Sequence, residues 1–122
     1  MSEIPLIAIV DDDASLRAAL ETLLQSLGYR SVAYESATSF LASSDAASCG
    51  CVISDVYMPG MTGFELKRQL HMIGREVPVI LITACGEPGV PAQAKASGAH
   101  SLLTKPFDAK ELIDCLTGAL AA

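Results

Sequence analysis

The stretch CVISDVYMPGMTG, Cys51 to Gly63, decides how the rest of the chain is read. Cys51, Val52 and Ile53 form an apolar run of strand type, and Asp55 closes it. Pro59 and Gly60 then interrupt the chain. Thr62-Gly63-Phe64-Glu65 has capping-box spacing, in which a hydroxyl and a carboxylate three residues apart satisfy each other's backbone amides at a helix start. The order is therefore strand, acid, loop, helix. A carboxylate so near a buried strand needs hydrogen bonds, a cation or a proton, because burying it bare costs several kcal/mol.

The same alternation extends in both directions. Leu6 to Val10, LIAIV, reads as a buried strand, and Leu16, Leu20, Leu23, Leu24 and Leu27 then recur at helical spacing until Gly28. Tyr29 to Tyr34 is a second, less apolar strand, and Ser36 can cap a short helix carrying Phe40 and Leu41. After the third strand, Cys51 to Asp55, a helix places Leu66, Leu70 and Ile73 on one side. Val79 to Thr83, VILIT, is the fourth strand. An Ala-rich helix with Pro91 in its first turn ends at Gly98, and Ser101 to Thr104 is a brief fifth strand. Asp108 to Glu111 is a second capping box, opening a last helix with Leu112, Ile113, Leu116 and Leu120. Five strands alternating with five helices predict an α/β sandwich around a parallel sheet. Strands as apolar as the first and fourth need cover on both faces.

Composition narrows the function. The 122 residues suit one domain, with 51% hydrophobic and 18% charged residues. A formal charge of −6 argues against nucleic-acid binding by this segment, since phosphate contacts need clustered Lys and Arg. No apolar run approaches the roughly 18 residues of a membrane span. The start, MSEIP, lacks the basic region of a signal peptide, so a cytoplasmic location is expected. Cys49, Cys51, Cys85 and Cys115 have the wrong spacing for a zinc knuckle, and His71 and His100 form no paired ligand motif. Free thiols packed as small hydrophobes are the better reading.

Chemistry collects at the strand ends. The first strand closes in Asp11-Asp12-Asp13, the third in Asp55, the fourth in Thr83 and the fifth in Thr104-Lys105-Pro106. In open parallel sheets this rim is where ligands bind. Crowded acids repel, so they take up protons or share a cation, and Mg²⁺, which accepts one or two carboxylates and keeps waters, suits them best. Asp13 stands beside a helix start, where capping and function weigh equally. For Asp55 a cap role is weak, since Thr62 already caps the next helix.

Taken in order, IVDDD at 9–13, SDVYMPGMTG at 54–63, LITA at 81–84, SGA at 97–99 and TKPF at 104–107 resemble the receiver domain of two-component response regulators, the CheY-like family. The resemblance covers residues 1–122 and implies a flavodoxin-like sheet of order 2-1-3-4-5. It implies that Asp55 accepts a phosphoryl group from a phosphohistidine of a histidine kinase. Asp12, Asp55 and the Tyr57 carbonyl would ligate Mg²⁺, with Asp11 acting through water or orienting the site. Thr83 would donate to a phosphoryl oxygen, and Lys105 would pair with Asp55 or the phosphoryl group, helping to keep Asp55 ionised. A cis Lys105-Pro106 peptide is also implied.

Such a module catalyses only its own modification and is not an enzyme acting on external substrates. The output implied is a change in the face made by the fourth helix, fifth strand and fifth helix, allowing homodimerisation or control of a C-terminal effector domain in a longer regulator. Two features depart from the pattern. Leu102 replaces the aromatic residue expected on the fifth strand. Pro88, Gly89 and Pro91 fall where the fourth helix begins, so that helix should be short, shifted or mobile, and the loop before it should carry more of the conformational change. Tyr57 reads as an ordinary loop side chain, or as a ring that restricts water near a phosphorylated Asp55. Among rivals, an aspartyl-phosphate phosphatase needs its nucleophile after the first strand in a DxDx(T/V) pattern, which DDDAS does not match. A flavodoxin needs a Ser/Thr/Gly-rich loop there, which is absent. Asp11, Asp12, Asp55, Thr83 and Lys105 together argue against a degenerate receiver.

Overall fold

A computed structural model describes residues 4–84 and 87–121. Cys85 and Gly86 lie outside the described residues. The strands are β1 (Leu6–Val10), β2 (Arg30–Tyr34), β3 (Cys51–Asp55), β4 (Val79–Ala84) and β5 (Ser101–Lys105). They form one sheet in the order β2-β1-β3-β4-β5, with every pair parallel. The helices are α1 (Ala14–Ser26), α2 (Ala37–Leu41), α3 (Asp45–Ser48), α4 (Gly63–Met72), α5 (Val90–Ser97) and α6 (Ala109–Leu120). The last three elements, α5, β5 and α6, correspond to the fourth helix, fifth strand and fifth helix expected from sequence.

The single short helix expected after β2 is instead two, α2 and α3. Ser36 caps the first through a bond from Ser39 N–H, as its position suggests. The second has no side-chain cap of its own and is held from outside. Arg75, just beyond α4, donates to the Ala46 carbonyl at 3.1 Å and the Cys49 carbonyl at 2.6 Å. Those orphan carbonyls at a helix end would otherwise go unsatisfied, and no local pattern announces a partner 29 residues away.

Alternation along the strands sends side chains to two cores. Ala8, Val10, Val52, Val79 and Leu81 pack beneath α2 to α5 with Phe40, Leu66 and Leu70, while Ile7, Ile9, Ile53, Ile80 and Ile82 pack beneath α1 and α6 with Leu20, Leu24, Leu112 and Leu116. Ile73 departs from its expected place: α4 ends at Met72, and Ile73 is 57% exposed at the cap. The thiols of Cys49 and Cys51 are buried and Cys115 partly so. Burial pushes the Cys51 thiol up to about 12, so it packs as an apolar group.

α5 has eight residues, with Pro91 in its first turn and Gly98 as its C-cap. Its N-cap, Gly89, has φ 78° and makes no side-chain capping bond, a left-handed position that glycine takes without strain. Leu102 is partly buried and packs against the first core.

α4 starts directly against the end of β3. A Cβ on Gly63 would stand 2.5 Å from the Asp55 carbonyl oxygen, 2.8 Å from Leu81 Cδ2 and 3.2 Å from Val56 Cα. Two of those neighbours are backbone and cannot turn aside. Alanine ordinarily favours a helix over glycine by about 1 kcal/mol, but overpacking costs about 1–3 kcal/mol, and here the Asp55 carbonyl contact is far inside van der Waals range and the Val56 contact is tight. Gly63→Ala is therefore expected to lower the urea-unfolding free energy by about 2 kcal/mol; an unchanged or raised value would show that α4 shifts freely.

Candidate functional site

The rim at the carboxyl ends of β1, β3, β4 and β5 gathers the residues singled out from sequence. Carboxylate oxygens of Asp11, Asp12 and Asp55 lie within 4.8 Å of one another. Register explains the meeting. Val10 pairs with Ser54, so the residues that follow, Asp11 and Asp55, leave adjacent strands at the same level. Asp55 pairs with Ile82, the residue before Thr83, and Ala84 pairs with Lys105. Lys105 Nζ donates to Asp55 Oδ2 at 3.5 Å, and the Lys105-Pro106 peptide is cis.

Asp13 stands apart from the cluster. Its Oδ1 accepts from Ser15 N–H at 2.9 Å and Leu16 N–H at 3.2 Å, so it is the N-cap of α1. Thr62-Glu65 and Asp108-Glu111 both form complete capping boxes. The Tyr57 ring is 52% exposed, on the loop after β3.

Two polar atoms at the rim are buried and find no hydrogen-bond partner among the described residues: Asp11 Oδ2 and Thr83 Oγ1. Native structures rarely leave such atoms unsatisfied without an ion, water or ligand to meet them. Burial, above all, raises the pKa of Asp11; the Asp13 amide pulls it down, and the Asp55 charge pushes it up again. Burial likewise raises Asp55, and the Lys105 ammonium only partly opposes this. Lys105 alone therefore does not compensate Asp55. Three carboxylate oxygens at this spacing, one with a free buried lone pair, are a donor set that a hard divalent cation fits.

Sequence reasoning missed two residues here. Arg17 Nη1 donates to the Asp11 backbone carbonyl at 2.7 Å, and the Asp11 amide donates to the Tyr34 carbonyl at 3.0 Å. The only available signal for the first was an arginine one helical turn past the Asp13 cap. The second is a main-chain contact and leaves no trace in residue type. A groove of about 680 Å³ between α4 and α5, lined in part by Lys67, includes none of the rim residues.

The family described as "Response regulator receiver domain" matches residues 7–117. The chain belongs to the response regulator receiver domain family. It is a receiver of the two-component type, CheY-like in fold, and not a conventional enzyme. The response regulator protein TmoT of Ectopseudomonas mendocina is 39% identical over 114 residues, covering 93% of this chain and 52% of TmoT. The chain spans about half the length of such curated relatives. Among solved structures, a response regulator receiver protein from Burkholderia phymatum is 40% identical with a TM-score of 0.84, covering 96% of this chain and 95% of that one. The chemotaxis protein CheY4 of Vibrio cholerae is 32% identical with a TM-score of 0.87, covering 97% of this chain and 100% of that one. The acidic triad matches the cation site typical of receivers. No helix among the described residues is long and apolar enough to cross a membrane.

Because Asp11 and Asp55 hold protons more tightly folded than unfolded, they destabilise the metal-free protein as pH rises through their folded values. That stability returns as pH falls toward 3.8. Like charges about 4 Å apart repel by about 1 kcal/mol even in water. Asp11→Asn, which keeps an acceptor for the Asp13 amide, should thus raise the unfolding free energy of metal-free protein at pH 7 by about 1 kcal/mol. The gain should shrink toward pH 4. Urea titrations in chelator test this, and a variant less stable than the parent at pH 7 would contradict it.

Proposed function

We propose that this receiver accepts a phosphoryl group on Asp55 from a phosphohistidine of a sensor histidine kinase, with Mg²⁺ bound at the rim. One observation carries the reading: the carboxylates of Asp11, Asp12 and Asp55 share one spot, and Lys105 reaches Asp55 from a strand two places away. Asp12, Asp55 and the Tyr57 carbonyl would hold the ion, with Asp11 acting through water or orienting the site. When bound, the ion supplies positive charge against the phosphoryl oxygens and the carboxylates.

The chain's own residues do the rest. An Asp55 carboxylate oxygen attacks phosphorus, the O–P bond forms, and the bond to the histidine nitrogen breaks with that nitrogen leaving. A loose transition state asks for in-line placement and charge neutralisation rather than covalent activation. Lys105, a point charge on a flexible stem, moves from Asp55 toward the phosphoryl group. The buried Thr83 hydroxyl, without a partner among the described residues, donates to a phosphoryl oxygen. An apolar groove lined by Leu16, Leu20, Leu23, Pro106 and Phe107 opens beside Lys105 and leaves room for the donor protein's approach.

The added group brings roughly two negative charges and strong acceptors. Output is assigned to the α5-β5-α6 face, through a homodimer or a C-terminal effector domain in a longer cytoplasmic regulator. Residues 1–122 would be its receiver portion. Relatives of about twice this length, among them the transcriptional regulatory protein TdiR of Thauera aromatica, of which this chain covers 50%, support an effector elsewhere in the protein. Leu102 offers no ring to exchange between water and interior, so the segment joining β4 to α5 is assigned the larger part of the rearrangement.

Incubation with a small acyl phosphate and Mg²⁺ should add one phosphoryl group, stable in acid and labile in base. Asp55→Asn should abolish incorporation, and Thr83→Ala should slow it by about 10²-fold, the usual loss for one donor to a developing charge. Phosphate release over many turnovers would mean a phosphatase. No incorporation would mean a degenerate receiver.

A further inference from the structure

Arg17 takes no part in the transfer described above, yet it makes one of the shortest contacts at the rim. It lies on the second turn of α1, partly exposed, and its Nη1 meets the Asp11 carbonyl at 2.7 Å. That carbonyl belongs to the same peptide unit as the Asp12 amide. The orientation of this one peptide therefore sets where the Cα of Asp12, and so its carboxylate, can lie. On the other side of Asp11, its amide is held by the Tyr34 carbonyl at 3.0 Å. Asp11 Oδ1 accepts the Asp13 amide at 2.9 Å, which leaves Oδ2 as the oxygen not engaged by any described residue. Both peptides of Asp11 are thus fixed before any ligand arrives.

We infer that Arg17 is a positioning residue for the divalent cation: its charge-assisted bond to the Asp11 carbonyl holds the Asp11 and Asp12 carboxylates within reach of Asp55. The inference rests on the reading of the rim as a cation site. Guanidinium donors give bonds stronger than neutral ones, and a planar head limits the directions from which the carbonyl can be approached. Asp11, Asp12 and Asp55 repel one another when ionised, and the turn's own side-chain bond, from the Asp13 amide to Asp11 Oδ1, ties Asp11 to its neighbour but not to the rest of the fold. Arg17 resists that displacement from the protein side.

A cation behind a cation site also repels the ion, so the two effects oppose each other. Screened through water, a single charge one layer back changes divalent affinity by no more than a few-fold. Loss of an outer partner that orients a ligand typically weakens metal affinity 10- to 100-fold. Orientation should win.

The test is Mg²⁺ titration by isothermal calorimetry on the full chain, with metal-free urea unfolding measured alongside. Arg17→Gln should raise the Mg²⁺ Kd about tenfold. Arg17→Met, which keeps the apolar stem but loses the donor, should match it and replaces the Gln variant if that one does not fold. Arg17→Lys, retaining charge and one donor, should recover most of the affinity. Tyr34→Phe drops the hydroxyl bond to Asp45 but keeps the carbonyl that holds Asp11, so it should alter stability and leave the Kd unchanged. A Kd for Arg17→Gln or Arg17→Met equal to or below the parent's would overturn the proposal, whatever the stability does. Absence of Mg²⁺ binding by the parent itself would overturn the cation site and, with it, this role for Arg17.

Discussion

Mutual repulsion of three carboxylates is the constraint around which this fold is arranged. Asp11, Asp12 and Asp55 are brought within 4.8 Å by strands that all run in the same direction, so their carboxyl ends share one rim. A parallel sheet makes such convergence a consequence of topology, since each strand is re-entered from the same side. What it does not provide is compensation. Lys105 reaches Asp55 at 3.5 Å, yet burial still leaves both Asp11 and Asp55 harder to ionise than in water. The metal-free site is short of positive charge, and that shortage favours a bound cation.

Holding acids together against repulsion requires a stiff frame. The two cores press on β1, β3 and β4 from both faces, and the start of α4 lies so close to the end of β3 that only glycine fits at position 63. The carbonyl of Asp55 receives the Ser54 hydroxyl at 2.9 Å, and the Gly63 amide reaches the Val56 carbonyl at 2.8 Å. Asp55 therefore projects from backbone held on both sides. Asp11 is held in the same way by Tyr34 and Arg17. Asp11 and Asp55 thus leave backbone tied on both sides, while Lys105 reaches Asp55 on a long, flexible stem.

Much of this was legible in the amino-acid sequence because it depends on local patterns. Apolar runs mark β1, β3 and β4, the first two closing in aspartates and the third in Thr83, and the Thr62-Glu65 and Asp108-Glu111 boxes mark helix starts to the residue. Asp12, Asp55, Thr83 and Lys105 are visible because each follows or ends such a run. The unread parts depend on contacts distant in sequence. α3 owes its end to Arg75, which lies beyond another strand and helix. Ile73 fits the helical spacing of Leu66 and Leu70 but falls one residue past the end of α4, where periodicity has no meaning. Arg17 looks like any surface arginine until the Asp11 carbonyl is seen to face it.

One divalent ion held among Asp11, Asp12 and Asp55 can be located with a paramagnetic substitute. Manganese, which shares magnesium's preference for oxygen ligands, broadens amide NMR signals near where it binds. A sub-stoichiometric Mn²⁺ titration should broaden the amides of residues 11–13 and 55–57 first, with those of β5 near Lys105 following, and excess Mg²⁺ should restore them. Broadening centred on Glu65 and Glu76, or spread evenly over the acidic surface, would mean that these three carboxylates do not hold the ion.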